Sequence, residues 1–260
     1  MCQNDVMRNS ELTLQGKRAL VVGGAGAIGL AISEGLLESG AQVVIADNRE
    51  DLNERVNLLK QNGHKCEGIN IDITKKSEIV KSINSSKGHL EGDIDILVNA
   101  AGIQRRSPSE TFPEHDWDEV ISVNLKSIFL YSQLVAIDML KNRSGKIINI
   151  ASIMSSFGGK NIPAYAASKG GVAQLTKSMS NDWASKGICV NAIAPGYIET
   201  PLNEKLLADS VRSAEILGRT PVGRWGRPSD LKGIAVLLAS STSDFITGAV
   251  IPVDGGYSAW

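Results

Sequence analysis

Arg18-Ala-Leu-Val-Val22-Gly23-Gly24-Ala25-Gly26-Ala27-Ile28-Gly29 joins a short β-branched run to a glycine-rich turn that opens straight into a helical pattern. Glycines let a backbone turn tightly and come close to a pyrophosphate, whose negative charge is favoured at a helix N-terminus. The spacing Gly24-x-Gly26-x-x-Gly29 is that of a dinucleotide-binding turn, and both parts of its context, strand before and helix after, are present. A purely structural glycine turn is the plainer alternative, and that context weighs against it.

Outward from this stretch, short apolar runs alternate with longer helical patterns, as repeated βαβ units require. Strands are expected to end at Val22, Ala46, Ile71, Val98, Ala151, Ile193 and Val253. Helical stretches are expected over Ile28–Ser39, Asp51–Gln61, Ile79–Lys87, Trp117–Lys141, Ala164–Lys186 and Pro228–Ser240. Pro195-Gly196 should stop the sixth strand. The fold class that follows is α/β: a Rossmann-type, doubly wound parallel sheet of about seven strands with helices on both faces. No linker or composition shift divides the chain, so residues 1–260 read as one NAD(P)-binding domain. Residues 196–227 show no clear period and are too long for an ordinary connection, which points to a substrate lid.

With 27 Lys+Arg against 28 Asp+Glu the chain is near neutral and has no basic block, which argues against a nucleic-acid or membrane-surface partner. The opening stretch MCQNDVMRNSELTLQ lacks the apolar centre of a signal peptide, and no stretch reads as a membrane span, so a cytoplasmic location is expected. Cys2, Cys66 and Cys189 are widely spaced and show no metal-ligand pattern; no metal site is expected.

Asp47 ends the second strand, eighteen residues beyond Gly29. A carboxylate there can accept both ribose hydroxyls of NAD and repel the 2′-phosphate of NADP, so NAD is expected in preference to NADP. Capping the next helix is the competing reading of Asp47, and Arg49 could tolerate a phosphate. Asp72-Ile73, past the third strand, is placed to contact adenine, or Asp72 to cap a helix. Asn99-Ala100-Ala101-Gly102 follows the fourth strand, where small residues leave room for a ribose.

Tyr165-Ala-Ala-Ser-Lys169 places a phenol and an ammonium four residues apart, on one helical face, with Ser152 thirteen residues before the tyrosine. A nearby cation lowers a phenol's pKa and makes it a usable general acid or base. Alone, this spacing is common by chance.

Taken together, the glycine loop, Asp72, Asn99-Ala-Ala-Gly102, Asn124, Ser152, Tyr165, Lys169, Pro195-Gly196 and Val253-Asp-Gly-Gly256 resemble the short-chain dehydrogenase/reductase family over essentially the whole chain. Two positions depart from that family's usual loop: Val22 stands where threonine is common and Ala27 where glycine is. The resemblance implies an oxidoreductase in which Ser152 holds the substrate oxygen and Tyr165 exchanges the hydroxyl proton. It further implies that Lys169 lowers the Tyr165 pKa and grips the nicotinamide ribose, and that Asn124 holds a relay water. It extends the cofactor contacts to Gly23, Gly24, Gly26, Ala27, Ile28, Gly29, Asp47, Asp72, Ile73, Asn99, Ala100, Ala101, Gly102, Tyr165, Lys169, Pro195, Gly196, Ile198 and Thr200. A homotetramer is also implied.

Within the family, Ala101-Gly-Ile-Gln-Arg105-Arg106 and the stretch from Arg212 to Gly226 resemble dehydrogenases of sugar acids of the gluconate, 2-deoxygluconate and 2-dehydro-3-deoxygluconate type. An arginine near the catalytic tyrosine would hold the substrate carboxylate, Arg106 first and Arg105 second. A solvated basic pair is the alternative. His115 reads as a capping or surface residue. Two rival functions stand beside this one: NADPH-dependent 3-oxoacyl-carrier-protein reduction, and a non-catalytic dinucleotide sensor. Asp47 and the near-neutral charge speak against the first; an intact Ser152, Tyr165 and Lys169 speak against the second.

Overall fold

A computed structural model describes residues 12–259. Seven strands, β1 (Arg18–Val22), β2 (Gln42–Asp47), β3 (Cys66–Asn70), β4 (Ile96–Asn99), β5 (Gly145–Ile150), β6 (Ile188–Pro195) and β7 (Val250–Val253), form one sheet in the order β3-β2-β1-β4-β5-β6-β7. Every pairing is parallel. Parallel strands need crossovers, and these are supplied by α1 (Ala27–Glu38), α2 (Leu52–Gln61), α3 (Lys76–His89), α4 (Glu114–Ile121), α5 (Ser127–Asn142), α6 (Pro163–Trp183) and α9 (Lys232–Ala239). Two short helices, α7 (Glu204–Ala208) and α8 (Ser210–Gly218), lie between β6 and α9.

Side-chain parity along the strands separates the two layers of core. Ala19 and Val21 of β1, Val43 and Ile45 of β2 and Ile148 of β5 pack with Ile32, Leu36, Val56 and Ala235, from α1, α2 and α9. Their neighbours Leu20, Val22, Val44 and Ile147 face the other way, against Ile79, Ile83, Tyr131, Val135 and Met179 of α3, α5 and α6. Both faces of the sheet are therefore covered, which explains the unbroken apolar runs in the sequence.

The strand order reverses between β1 and β4. Val22 pairs with Ala46 on one side and Asn99 on the other, so the carboxyl ends of β1, β2 and β4 stand level and open a crevice there. Chain direction alone places Gly23, Asp47 and Ala100 around that crevice.

Three expectations need correction. The helix expected over Trp117–Lys141 begins earlier, at Glu114, and is interrupted by a π-helical turn at Ser122–Lys126, with Asn124 inside it. The aperiodic stretch 196–227 is not plain loop. It contains α7 and α8, too short to show a period; the Asp209 carboxylate starts α8 by accepting the N–H groups of Val211 and Arg212. Finally, Glu114–Asn142 is long and apolar enough by length and composition to cross a membrane, contrary to the sequence reading; half of its apolar window is buried inside the molecule. Ile128, Tyr131, Val135 and Met139 are buried there, the marks of a core helix.

Cys66 is buried, and burial pushes its thiol up to about 12, which leaves it inert. Cys2 and most of the polar N-terminal stretch lie outside the described residues.

Candidate active site

The crevice holds two adjoining cavities. A larger one of about 590 Å³ is lined by Gly23, Gly26, Asp47, Arg49, Asp72 and Ile73, among others. A second of about 280 Å³ shares Gly23, Gly26, Ala100 and Gly102 with the first and continues past Ala27, Ile28 and Gly29 to Tyr165, Lys169, Pro195 and Thr200. Together they make one elongated trough from the end of β3 to the start of α6, a shape suited to an extended dinucleotide.

The glycines divide by what surrounds them. Gly23 has φ +76°, and a Cβ there would lie 2.4 Å from the Ala101 backbone; a Cβ on Gly29 would meet the Gly23 carbonyl at 2.1 Å. Those two, with Gly24 against Ile45 and Val21, let the loop fold onto the sheet. Gly26 is different. Its Cβ would meet nothing closer than 3.4 Å, and the residue lines both cavities, so what its bareness leaves open is space for a ligand.

Asp47 is buried, and its carboxylate accepts the Ala25 N–H at 3.0 Å and the Arg49 N–H at 3.1 Å. It does not cap α2, whose N-cap is Asp51. Asp47 instead ties the glycine loop to the end of β2. Val22 lacks the hydroxyl that would brace this loop from within, and the Asp47 carboxylate supplies a brace from the neighbouring strand. The Arg49 guanidinium is engaged by Asp51 at 2.9 Å. Asp72 accepts both the backbone N–H and the hydroxyl of Thr74 and pairs with Lys75, so it closes a turn ahead of α3. The Thr74 hydroxyl and Lys75 hold its carboxyl below the ordinary range.

Two residues expected at the cofactor lie behind the trough wall. Gly24 packs inward. Asn99 is buried and donates its amide to Ser132 Oγ at 3.2 Å and Asn149 Oδ1 at 2.9 Å, while Asn149 donates to Thr176 Oγ1 at 3.0 Å. This polar chain joins β4 and β5 to α5 and α6. Ala100, Ala101 and Gly102 form the wall itself.

Ser152 follows β5 and starts the 3₁₀ turn Ile153–Ser155 by accepting the Met154 N–H. Pro163 at the start of α6 sets the helix so that Tyr165 and Lys169 both face the trough. Burial pushes the Tyr165 phenol above its ordinary value; the Ser152 hydroxyl and the Arg106 charge pull it down. The sequence assigned that lowering to Lys169, whose Nζ lies 5.8 Å from the Tyr165 ring centroid. Lys169 is itself buried, and desolvation lowers it to about 8. Its Nζ donates to the Ile150 carbonyl at 2.6 Å, the one acceptor it has among the described residues. An ammonium carries three protons, so two are left for a ligand. A Cβ on Gly102 would sit 3.6 Å from that Nζ, in the space such a ligand would use. The trough thus fits the ribose of a pyridine nucleotide on the side of Lys169.

Asn124 Oδ1 accepts the Ile103 N–H at 2.8 Å, and its amide donates to the Ile103 carbonyl at 2.9 Å and to Ser168 Oγ at 3.1 Å. The side chain holds the start of the loop after β4 against α6; the π-turn aims it there, a common use of such bulges.

A third cavity, about 120 Å³, adjoins Tyr165 and reaches Ile28. Arg106, Gly196, Ile198 and Thr200 line it, so the last three face the reacting end of the trough. Arg105 does not: its guanidinium pairs with Glu119 at 2.8 Å and approaches Asp116, bracing the loop on α4. His115 is exposed beside Asp116. Three residues here were missed in the sequence. Tyr197 follows Gly196 and stacks edge-on with Trp225 and Tyr257; Lys160 and Arg212 line the same cavity. Arg212 stood inside a quoted stretch, but without the helix there was nothing to show where it faced. Among the described residues no three His, Cys, Asp or Glu side chains cluster to hold a metal ion.

A buried tyrosine, a serine beside it and a buried lysine at the end of an elongated trough suit an oxidoreductase that acts on a hydroxyl or carbonyl. Residues 23–258 match the family described as Enoyl-(Acyl carrier protein) reductase. The 2-dehydro-3-deoxy-D-gluconate 5-dehydrogenase of Bacillus subtilis is 45% identical over 94% of this chain and 96% of its own length. The gluconate 5-dehydrogenase of Gluconobacter oxydans is 40% identical over 94% and 95%. A crystal structure of gluconate 5-dehydrogenase from Burkholderia cenocepacia, in complex with NADP and tartrate, superposes with a TM-score of 0.92 at 41% identity, over 96% of this chain and 98% of that one. The chain belongs to the short-chain dehydrogenase/reductase family.

Proposed function

We propose that this protein interconverts a secondary hydroxyl and a ketone on a sugar acid of the gluconate or 2-dehydro-3-deoxygluconate type, with NAD as its cofactor. The observation that carries the reading is the position of Arg106: it lines the cavity that adjoins Tyr165, its charge reaches the Tyr165 phenol, and no carboxylate among the described residues pairs with it. A guanidinium so placed suits a substrate carboxylate. The sugar-acid names of the relatives and the tartrate held by the Burkholderia enzyme, a hydroxy acid, support the same substrate class.

A nicotinamide held in the trough would supply the hydride acceptor or donor. In oxidation the Tyr165 phenolate takes the substrate's hydroxyl proton while Ser152 donates a hydrogen bond to the same oxygen; in reduction Tyr165 returns the proton. Lys169 would hold the ribose with its two remaining protons. Asn124 keeps the loop after β4 in register with α6, and because both of its amide protons are engaged by Ile103 and Ser168, the side chain has none to give the relay water expected there. Asp47 would meet the adenine ribose with what remains of its acceptor capacity. The NADP in the Burkholderia relative makes the cofactor a real choice. Asp47 at the end of β2, with Arg49 already engaged by Asp51, favours NAD here.

We further propose a single cytoplasmic domain with a lid over 196–227, assembled as a homotetramer. Trp117, Phe129 and Ile137 are exposed on the α4–α5 helix, where a subunit contact would cover them. Reduction of the ketone of a 3-oxoacyl-carrier-protein with NADPH is the competing activity, and the matched family description names another enzyme of acyl-carrier substrates, an enoyl reductase; the small cation-lined cavity suits a compact acid better.

The test is nicotinamide reduction or oxidation by the purified protein with gluconate, 2-deoxygluconate, 5-keto-D-gluconate and an acetoacetyl thioester, each with both cofactors. Turnover of a sugar acid with NAD is the expected result. Activity confined to the thioester with NADPH would overturn both the Arg106 and the Asp47 readings.

A further inference from the structure

The cavity beside Tyr165 is unbalanced in charge. Arg106, Lys160 and Arg212 line it, and none of its lining residues is an aspartate or glutamate. The three cations come from separate parts of the chain: the loop after β4, the loop before α6, and α8. Arg106 and Arg212 face a common neighbour. Tyr197 lies in the same lining, and burial with the adjacent Tyr257 pushes its phenol up to about 12, while the charges of Arg212 and Arg106 both pull it down. The two guanidinium groups therefore act on one small volume from opposite segments.

Their present partners differ from those of a structural arginine. Arg106 has no ion-pair partner among the described residues. Arg212 pairs with Glu215, one turn along its own helix, and both side chains are about half exposed, 52% and 56%. An exposed pair of this spacing is weak and easily exchanged. The backbone beneath Arg212 is firmly held, by contrast. Asp209 accepts its N–H at 3.0 Å, the Trp225 indole donates to Ser213 Oγ at 2.9 Å, and Ile216 is buried. A fixed base with a weakly engaged guanidinium is what a ligand-gripping arm requires.

We infer that Arg212 is a specificity-determining residue: it leaves Glu215 to grip the substrate carboxylate from the lid side, opposite Arg106. The inference rests on the sugar-acid reading above and adds a second arm to it. Glu215 then acts as a competitor, holding the guanidinium in the free enzyme and surrendering it to a carboxylate but not to a neutral polyol.

The experiment compares steady-state KM for gluconate, or for 5-keto-D-gluconate in the reverse direction, with KM for the neutral polyol glucitol. The enzymes are wild type, Arg106→Ala, Arg212→Ala, Arg212→Lys and Glu215→Gln, with thermal melting to confirm that each is folded. Arg212→Ala is expected to raise KM for the acid about tenfold or more and leave glucitol unchanged, with partial recovery in Arg212→Lys. Glu215→Gln is expected to lower KM for the acid by about twofold, because the competing carboxylate of a weak exposed pair is gone. A merely structural pair would give the same small loss from either side. If Arg212→Ala leaves the acid KM within about twofold while Arg106→Ala raises it, the inference fails and the sugar-acid reading stands. If Arg106→Ala affects acid and polyol equally, the sugar-acid reading fails and takes this inference with it.

Discussion

The Asp47 carboxylate accepts the Ala25 backbone N–H at 3.0 Å, across twenty-two residues of chain. One side chain thus serves two purposes that sequence reasoning treats separately. It lines the larger cavity of the trough, and it clamps the glycine loop to the carboxyl end of β2. Any substitution made to change cofactor choice also loosens the loop that binds the cofactor.

Asp47→Ala is therefore expected to do two things at once: erode discrimination against NADP and lower the melting temperature of the ligand-free protein. Two N–H groups lose their acceptor, and a buried one costs about 1–3 kcal/mol. Asp47→Asn separates the effects, since it keeps an acceptor oxygen and the shape but not the charge. Asp47 spends one oxygen on each N–H and asparagine has only one oxygen to offer, so melting should recover only in part in the asparagine variant while NADP discrimination does not recover. Equal discrimination in wild type and both variants would show that the ribose is read elsewhere.

The glycine loop divides in the same way. A Cβ at Gly29 would sit 2.1 Å from the Gly23 carbonyl, so Gly29→Ala is expected to destabilise the folded chain itself. At Gly26 a Cβ finds ordinary space, with φ −69°, a backbone that alanine adopts freely. Gly26→Ala should melt close to wild type yet bind nicotinamide dinucleotide at least tenfold more weakly by fluorescence titration, because the methyl enters the trough. Tight binding in a folded Gly26→Ala protein would move the pyrophosphate off this loop.

How much of this could be read from the sequence follows from which signals are local. Most strands were legible as apolar runs ended by a turn residue, and their alternation with helical stretches carried the doubly wound parallel class; the strand order came from the structure. The spacing of Tyr165 and Lys169 put them on one face, and both line the trough; Ser152 and Asn124 were given their roles by the resemblance. Their surroundings were not legible. Arg105 and Arg106 are adjacent and chemically identical, and only the approach of Glu119 and Asp116 from α4 separates a brace from a cavity residue. Asn99 carried a motif whose neighbours line the trough, while its own side chain turns to Asn149, a partner fifty residues away. Helices α7 and α8 were missed because five and nine residues are too few for a period to emerge.

The proton chemistry gives a prediction with a definite sign. Burial raises the Tyr165 phenol, and Ser152 and Arg106 lower it. Oxidation needs the phenolate, so its rate rises with pH through that pKa. Removing the Arg106 charge takes away a lowering influence, and the rising limb of the oxidation profile should move to higher pH in Arg106→Ala; Arg106→Lys should restore most of it. Tyr165→Phe should lose about 10²–10⁴-fold in turnover with cofactor binding retained. An unmoved limb in Arg106→Ala would place the titrating group elsewhere.

Lys169 offers the sharpest stability test, because its ammonium is buried for function at a cost to folding. Desolvation lowers it from 10.5 to about 8. Between those two values the unfolded chain holds the proton and the native one does not, so stability rises with pH across that window. The cost is full below pH 8, roughly 3 kcal/mol by the size of the shift, and gone above 10.5. Lys169→Met removes the charge at every pH while orphaning the Ile150 carbonyl, a loss of about 1–3 kcal/mol that does not vary with pH. Denaturant unfolding of the ligand-free proteins at pH 7 and near pH 10 should show the methionine variant gaining on wild type at the lower pH and losing that advantage at the higher, although it is inactive throughout. The same difference in stability at both pH values would mean that the ammonium is solvated after all, and the case for its spare protons pointing at a ribose would weaken with it.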